Sequence, residues 1–139
     1  MSETILFIHV IWSTNHKRKL FTEEQRTALC NHIVETARSR SIEITEIAGS
    51  SDHFHAFIKL HGTQNLAQAI HIIKGESSNW VNTKKLHSRR FRWEEGYAAV
   101  SVSPDRKKEL VRYLRKHQFQ HQTMSYDEEL KWFKTGKRP

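Results

Sequence analysis

The order of strand-like and helix-like stretches restricts the possible folds of this chain more than any other feature of the sequence. Apolar runs and alternations predict strands, whereas apolar residues spaced three and four apart predict helices. The predicted strands cover residues 5–12, 42–48, 52–60 and 97–102, and the predicted helices cover residues 22–40, 65–80, 104–121 and a short stretch after Ser125. This order predicts an α+β, ferredoxin-like (RRM-like) sandwich with a four-stranded antiparallel sheet.

In this predicted sandwich the first two helices cover one face of the sheet, and the helix that carries Tyr113 covers the other. No repeat, low-complexity segment or linker interrupts the 139 residues, which favours a single domain over residues 1–139. The one cysteine, Cys30, excludes an internal disulfide. No apolar run approaches the ~20 residues of a membrane span, and the N-terminus lacks the pattern of a secretory signal. We therefore expect a cytoplasmic, nucleoid-associated protein.

The third predicted strand carries two histidines on one face. If alternate side chains fall on opposite faces, Phe54, Ala56 and Ile58 enter a core, and His53 and His55 lie side by side on the other face. Two neighbouring imidazoles can share one divalent metal ion if a third ligand comes from elsewhere. The alternative is a pair of exposed histidines without function, since 10 histidines in 139 residues produce such a pair readily by chance.

The third predicted helix offers partners for this histidine pair. Tyr113, His117 and His121 are four residues apart and therefore share one helix face. Docked against the strand, that face would bring a phenol and a third imidazole to the metal ion. A metal ion held this way keeps positions open for phosphate oxygens, and a tyrosine can store a cut phosphodiester bond as a phosphotyrosine. The alternative for Tyr113 is a half-buried tyrosine with its hydroxyl at the surface.

The charge balance predicts a polyanionic partner. The chain has 23 Lys and Arg against 15 Asp and Glu, a formal net charge of +8, which favours nucleic acid. Aromatic residues between the basic clusters suggest a groove for single strands. The basic residues that we assign to DNA-backbone contacts are Lys17, Arg18, Lys19, Lys84, Lys85, Arg89, Arg90 and Arg92. Lys74 is either a further phosphate contact or a solvated helix lysine, and Trp93 is expected in the core rather than as a stacking platform.

Several segments together resemble the single-tyrosine HUH transposases of small bacterial insertion sequences, which include the REP-associated tyrosine transposases. The segments are residues 9–12 and 17–19, 52–57, 73–78, 93–97, 101–103, Tyr113 and 122–129. The resemblance implies a single-strand DNA endonuclease and strand transferase that recognises DNA hairpins and acts as a homodimer. His53 and His55 would hold Mg²⁺ or Mn²⁺, and Tyr113 would form a 5′-phosphotyrosine, in cis or in trans.

The sequence departs from this family at one position. The family usually has Gln four residues after the tyrosine as a further metal ligand, whereas this chain has His117 there and Gln118 next to it. Gln118 lies about 140° around the helix from Tyr113, so we predict His117 as the third ligand, with a shift of preference toward Mn²⁺.

Two other functions remain open from the sequence. One is a non-catalytic protein that binds single strands or hairpins through its basic loops. The other is a metal phosphoesterase that uses His53 and His55 with water as the nucleophile.

Overall fold

The computed structural model describes residues 2–119 and 125–136, with side chains in the third helix described as far as Lys116. The strands are β1 (Leu6–Ser13), β2 (Glu43–Gly49), β3 (His53–Leu60) and β4 (Ala98–Val102). The helices are α1 (Glu23–Ser39), α2 (Leu66–Thr83), α3 (Lys107–Phe119) and α4 (Tyr126–Thr135). None of the helices in these described ranges combines the length and apolar character that a membrane crossing requires.

The four strands form one antiparallel sheet in the order β2-β3-β1-β4. β1 and β3 are therefore the central strands, and their register pairs Ile11 with His55 and Ser13 with His53. This topology confirms the predicted ferredoxin-like sandwich. It also places the two histidines of β3 in the middle of the sheet, beside the polar end of β1.

Local capping explains where the helices begin. Thr22 and Gln25 form a reciprocal capping box at α1, as the sequence predicts, and Ser125 and Glu128 form another at α4. The start of α3 differs from its prediction. Residues 104–106 form a 3₁₀ turn, and the hydroxyl of Ser103 donates a hydrogen bond to its near neighbour Asp105 instead of accepting one from the helix. The regular α-helix therefore begins three residues later than the sequence pattern suggests.

The sheet is buried on both faces. One face, with Val10, Trp12, Phe54 and Ile58, packs against α1 and α2 in the main core. The opposite face carries a smaller apolar cluster, in which residues of β1, β2 and β3 meet α3. The members of this second cluster are Phe7, Ala48, Phe57, Leu110 and Leu114. The His face of β3 is thus the floor of a second packed layer, and His53 and His55 are buried there rather than exposed.

A candidate metal and tyrosine site

Three side chains converge beneath the second helical layer. His53 and His55, from β3, and Glu129, from α4, have ligand atoms that all lie within 4.8 Å of one another. Nε2 of His53 is 3.1 Å from Glu129 Oε1, and Nε2 of His55 is 2.5 Å from Glu129 Oε2. The relative exposures are 1%, 0% and 0%, so the cluster is shielded from water. Buried groups of this kind require partners, because desolvated charge is costly.

A second set of contacts holds the far side of each imidazole. Nδ1 of His53 is 2.7 Å from Asp52 Oδ1 and 2.9 Å from the Ser50 hydroxyl. Nδ1 of His55 is 2.9 Å from Nε2 of His9, a buried residue of β1. The Nε2 atoms of both imidazoles therefore face Glu129. Partners on the outer nitrogen are what fixes ring orientation in metal-binding histidines, and two imidazoles with a carboxylate are a donor set that suits divalent metal ions.

The pKa of His53 is strongly shifted by its surroundings in the cluster. Burial by itself would lower the pKa of His53, but the hydrogen bonds and negative charges of Asp52 and Glu129 outweigh it and raise the pKa to about 9. Burial would likewise raise the pKa of Asp52, yet its contact with His53 holds that pKa below its usual value. Without a metal ion, His53 is accordingly an imidazolium between two carboxylates at neutral pH. A metal ion would have to displace that proton.

Two tyrosines lie near the cluster, one beside each histidine of β3. The ring centre of Tyr113, on α3, is 6.4 Å from that of His55, and the half-buried phenol packs edge-on against Trp132 at 4.8 Å. The ring centre of Tyr126, at the start of α4, is 6.0 Å from that of His53. Burial raises the pKa of Tyr126. The structure therefore brings Tyr113 to the predicted histidine pair and adds a second phenol that the sequence reasoning ranks lower.

Glu129 and His9, the partner of His55, were not identified as site residues from the sequence. Glu129 falls in the apolar stripe of α4 together with Leu130 and Phe133, and an acid in such a stripe was the signal that could have revealed it. His9 interrupts an otherwise apolar strand, which was a comparable signal. The predicted third ligand, His117, lies on the helical backbone one turn after Tyr113, but its side chain is outside the described residues. The side chain of Gln118 is also outside the described residues, and so is the whole of His121. The role of His117 therefore stays a prediction.

The predicted DNA contacts lie in three different settings. Lys17 forms an ion pair with Asp127 at 3.1 Å, and its ammonium is 5.1 Å from the ring centre of Tyr126. Lys74 donates hydrogen bonds to the carbonyl oxygens of Glu94 and Gly96 at 2.8 and 2.7 Å, so its ammonium ties a loop to α2. Burial lowers the pKa of Lys74. Its contact with phosphate stays a prediction.

The long basic loop after α2 is held at its base. The Asn82 amide bonds both the carbonyl and the N–H of Phe91, at 2.9 and 2.7 Å, and Phe91 is buried. The loop between them carries Lys84, Lys85, Arg89 and Arg90, with Arg92 just beyond it, and all five residues are exposed. Trp93 lies in the core, as predicted, and its indole N–H donates to the Ser77 hydroxyl at 2.9 Å.

Comparison with known proteins gives a family and a fold. The family model described as "Transposase IS200 like" matches residues 3–117. A crystal structure of a protein assigned as a transposase, from Deinococcus radiodurans R1, has a TM-score of 0.67 at 17% identity and covers 84% of this chain and 93% of its own. A REP-associated tyrosine transposase, solved bound to a REP hairpin, has a TM-score of 0.56 at 16% identity, with 82% and 70% covered.

At these identities the two solved structures establish a common fold and nothing further. No curated protein sequence matches the chain significantly. The family match spans all four strands and reaches α3, and it ends before α4, the helix that supplies Glu129. On the strength of that match, this chain belongs to the family of IS200-like transposases.

Proposed function

We propose that this transposase is a metal-dependent single-strand DNA endonuclease and strand transferase with Tyr113 as its nucleophile. The observation that carries the proposal is the buried cluster of His53, His55 and Glu129 with the Tyr113 ring packed against its edge. A set of metal-ligand candidates beside a phenol suits phosphodiester cleavage by tyrosine, because the metal ion can polarise the phosphate and the phenol can attack it. Membership of a transposase family supports DNA as the substrate.

The residues present fit a divalent metal ion. His53 and His55 would supply imidazole nitrogens and Glu129 a carboxylate oxygen, and Mg²⁺ or Mn²⁺ is the ion we propose. When bound, such an ion polarises a phosphate and stabilises charge on the departing oxygen. Asp52 and His9 would keep the two imidazoles oriented toward it. His117 stays a candidate for an additional ligand from α3.

In the proposed reaction the Tyr113 oxygen attacks the phosphorus of the scissile phosphate. A phosphorus–oxygen bond to tyrosine forms as the bond to the 3′-oxygen breaks, and the 3′-oxygen leaves as a hydroxyl after taking up a proton. The phenol gives up its proton in the same exchange, so protons balance. The 5′-phosphotyrosine keeps the energy of the phosphodiester, and a 3′-hydroxyl of another strand can reverse the step.

We further propose that the DNA is presented as a hairpin with adjoining single strand. The solved relative bound to a REP hairpin supports this choice of partner. The clusters at 17–19 and 84–92 would contact its backbone, which positions DNA without reading its sequence. A homodimer is part of the same proposal, and light scattering of the purified protein with and without hairpin DNA tests it. A fully active monomer would remove the dimer from the proposal.

The test is covalent trapping of the cut strand. Single-stranded oligonucleotides taken from the DNA on both sides of the gene are incubated with the protein and Mn²⁺, and adducts are resolved by denaturing gel and mass spectrometry. We expect an adduct on Tyr113 that Tyr113→Phe abolishes and that the control Tyr97→Phe, at an exposed tyrosine just before β4, leaves intact. An adduct on Tyr126 would transfer the nucleophile role to α4.

Other outcomes separate the competing functions. Cleavage with turnover but without an adduct would indicate water as the nucleophile, and therefore a metal phosphoesterase. Metal-independent binding without cleavage of any of these strands would identify a non-catalytic hairpin-binding protein. The exposed basic residues of the 84–92 loop would serve that second function equally well.

A further inference from the structure

A groove runs along the outer side of Tyr113, between the edge strand β4 and helices α3 and α4. Its inner cavity of about 240 Å³ has His9, Tyr113, Trp132, Phe133 and residues 100–103 in its lining. Its outer cavity of about 620 Å³ continues past Arg112 and Lys116. Both cavities are bordered by Tyr113 and Trp132, which makes them one groove.

We propose that this groove binds an unpaired nucleotide of the cut strand next to the scissile phosphate, with its base in the inner cavity and its backbone in the outer one. The proposal rests on the proposed function, because Tyr113 then marks where the scissile phosphate lies. It concerns α4, a helix beyond the residues matched by the family model.

The chemistry of the inner cavity suits a base. Trp132 and Phe133 are stacked on each other at 4.8 Å and provide an aromatic wall, and base–aromatic stacking tolerates any base. On the opposite side, β4 pairs only with β1 among the described strands. The outer backbone edge of β4 therefore offers N–H and C=O groups to the edge of a base. Bases in a duplex are stacked inside it, so the occupant is an unpaired base.

The chemistry of the outer cavity suits a phosphate backbone. Arg106, Arg112 and Lys116 border it against one acid, Glu109, with which Arg106 forms an exposed ion pair at 2.9 Å. The positive excess is complementary to a strand that arrives from the open end. The inner end, by contrast, reaches His9, which contacts the metal-ligand candidate His55. A nucleotide in the groove would thus lie between solvent and the cluster.

Photocrosslinking and affinity measurements test the groove directly. The probe is a short oligothymidylate with one 5-iodouracil, which couples on irradiation to aromatic side chains in contact with it, and the protein is the full chain carrying Tyr113→Phe in EDTA, so that no cleavage occurs. We expect the coupled peptide to contain Trp132. Trp132→Ala should weaken binding of the oligothymidylate by about 5- to 100-fold, and Trp132→Phe should weaken it less.

Matched controls use the opposite face of the sheet. The first control is Trp80→Ala, at a tryptophan that stacks on His32 between α1 and α2. The second is Arg38→Ala, at an exposed arginine of α1. Neither substitution should change the affinity for the oligothymidylate. Arg112→Ala should lower the salt dependence of binding by roughly 0.7 in the log–log slope. Circular dichroism confirms folding of each variant, and Trp132→Phe serves if Trp132→Ala unfolds.

Two results would overturn the groove. Crosslinks confined to residues 84–92 would contradict the proposed groove. Equal affinities of Trp132→Ala and Trp80→Ala for the oligothymidylate would also contradict it. These results are separable from a failure of the proposed function. An adduct on Tyr113 with no crosslink at Trp132 would contradict nucleotide binding in the groove and support the tyrosine nuclease. A crosslink at Trp132 without any adduct would support nucleotide binding in the groove and contradict the tyrosine nuclease.

Discussion

The proton on His53 makes the stability of the metal-free protein depend on pH in an unusual direction. The pKa of His53 is raised from 6.5 to about 9 in the folded chain, so the folded state holds a proton that the unfolded state has lost. This contribution is fully present below pH 6.5 and disappears as the pH rises through 9. At ~1.4 kcal/mol per pKa unit, the shift corresponds to about 3 kcal/mol of unfolding free energy.

Urea unfolding in EDTA at pH 6.5, 7.5 and 9 measures this contribution. The free energy of unfolding of the wild type should fall by about 3 kcal/mol across the range. Glu129→Gln removes one of the two charges that hold the proton, so its loss across the same range should be clearly smaller. Glu35→Gln, at an exposed position of α1, should behave as the wild type. A wild-type stability that does not change between pH 6.5 and 9 would refute the imidazolium between two carboxylates.

The same proton sets the response to metal. Mn²⁺ must displace the proton from His53 to bind its nitrogen, so the stabilisation by added Mn²⁺ should be larger at pH 9 than at pH 6.5. Thermal unfolding with and without Mn²⁺ at both pH values provides the measurement. An equal stabilisation at the two pH values would show that the ion binds away from His53.

Further predictions concern two glycines and an imidazole. A Cβ at Gly49 would lie 2.5 Å from the ring of the fully buried Phe54, so Gly49→Ala should cost about 1–3 kcal/mol of unfolding free energy. A Cβ at Gly75 in α2 meets nothing within 4 Å, so Gly75→Ala should raise the free energy of unfolding by up to about 1 kcal/mol. Urea unfolding measures both variants, and a Gly49→Ala variant more stable than Gly75→Ala would contradict both expectations. His9→Phe should weaken Mn²⁺ binding by about 10- to 100-fold, because it removes the hydrogen-bond partner of His55. His9→Gln should restore part of this affinity, and electron paramagnetic resonance of the bound Mn²⁺ measures both variants.

The fold followed from local signals because each of them agreed with the others. Capping residues such as Thr22 and Ser125, together with the apolar periodicities, depend on neighbours a few positions away, and these are visible in the sequence. The alternation of β3 likewise separated Phe54 from its two flanking histidines correctly. Even the late start of α3 is a small error, since it reflects one side-chain hydrogen bond at Ser103.

The composition of the site could be predicted only in part. His53 and His55 share one strand, so their proximity follows from strand geometry. Glu129 reaches them from a helix whose angle on the sheet depends on packing of both layers, and no local pattern specifies that angle. His9 pairs with His55 through the register of β1 against β3, which also depends on the whole sheet. The sequence therefore led to the two histidines and to His117 on α3 as a predicted ligand, which stays a prediction, but it did not identify Glu129.

The position of Glu129 in the chain has a consequence for biosynthesis. Glu129 is separated from His53 by 76 residues and belongs to the last described helix. All four strands leave the ribosome before α4 does, and a growing chain folds from its N-terminal side. On the proposed mechanism, a polypeptide still attached to its messenger RNA has a sheet with two imidazoles and no carboxylate between them. On that mechanism, DNA cutting would begin only once translation has delivered α4.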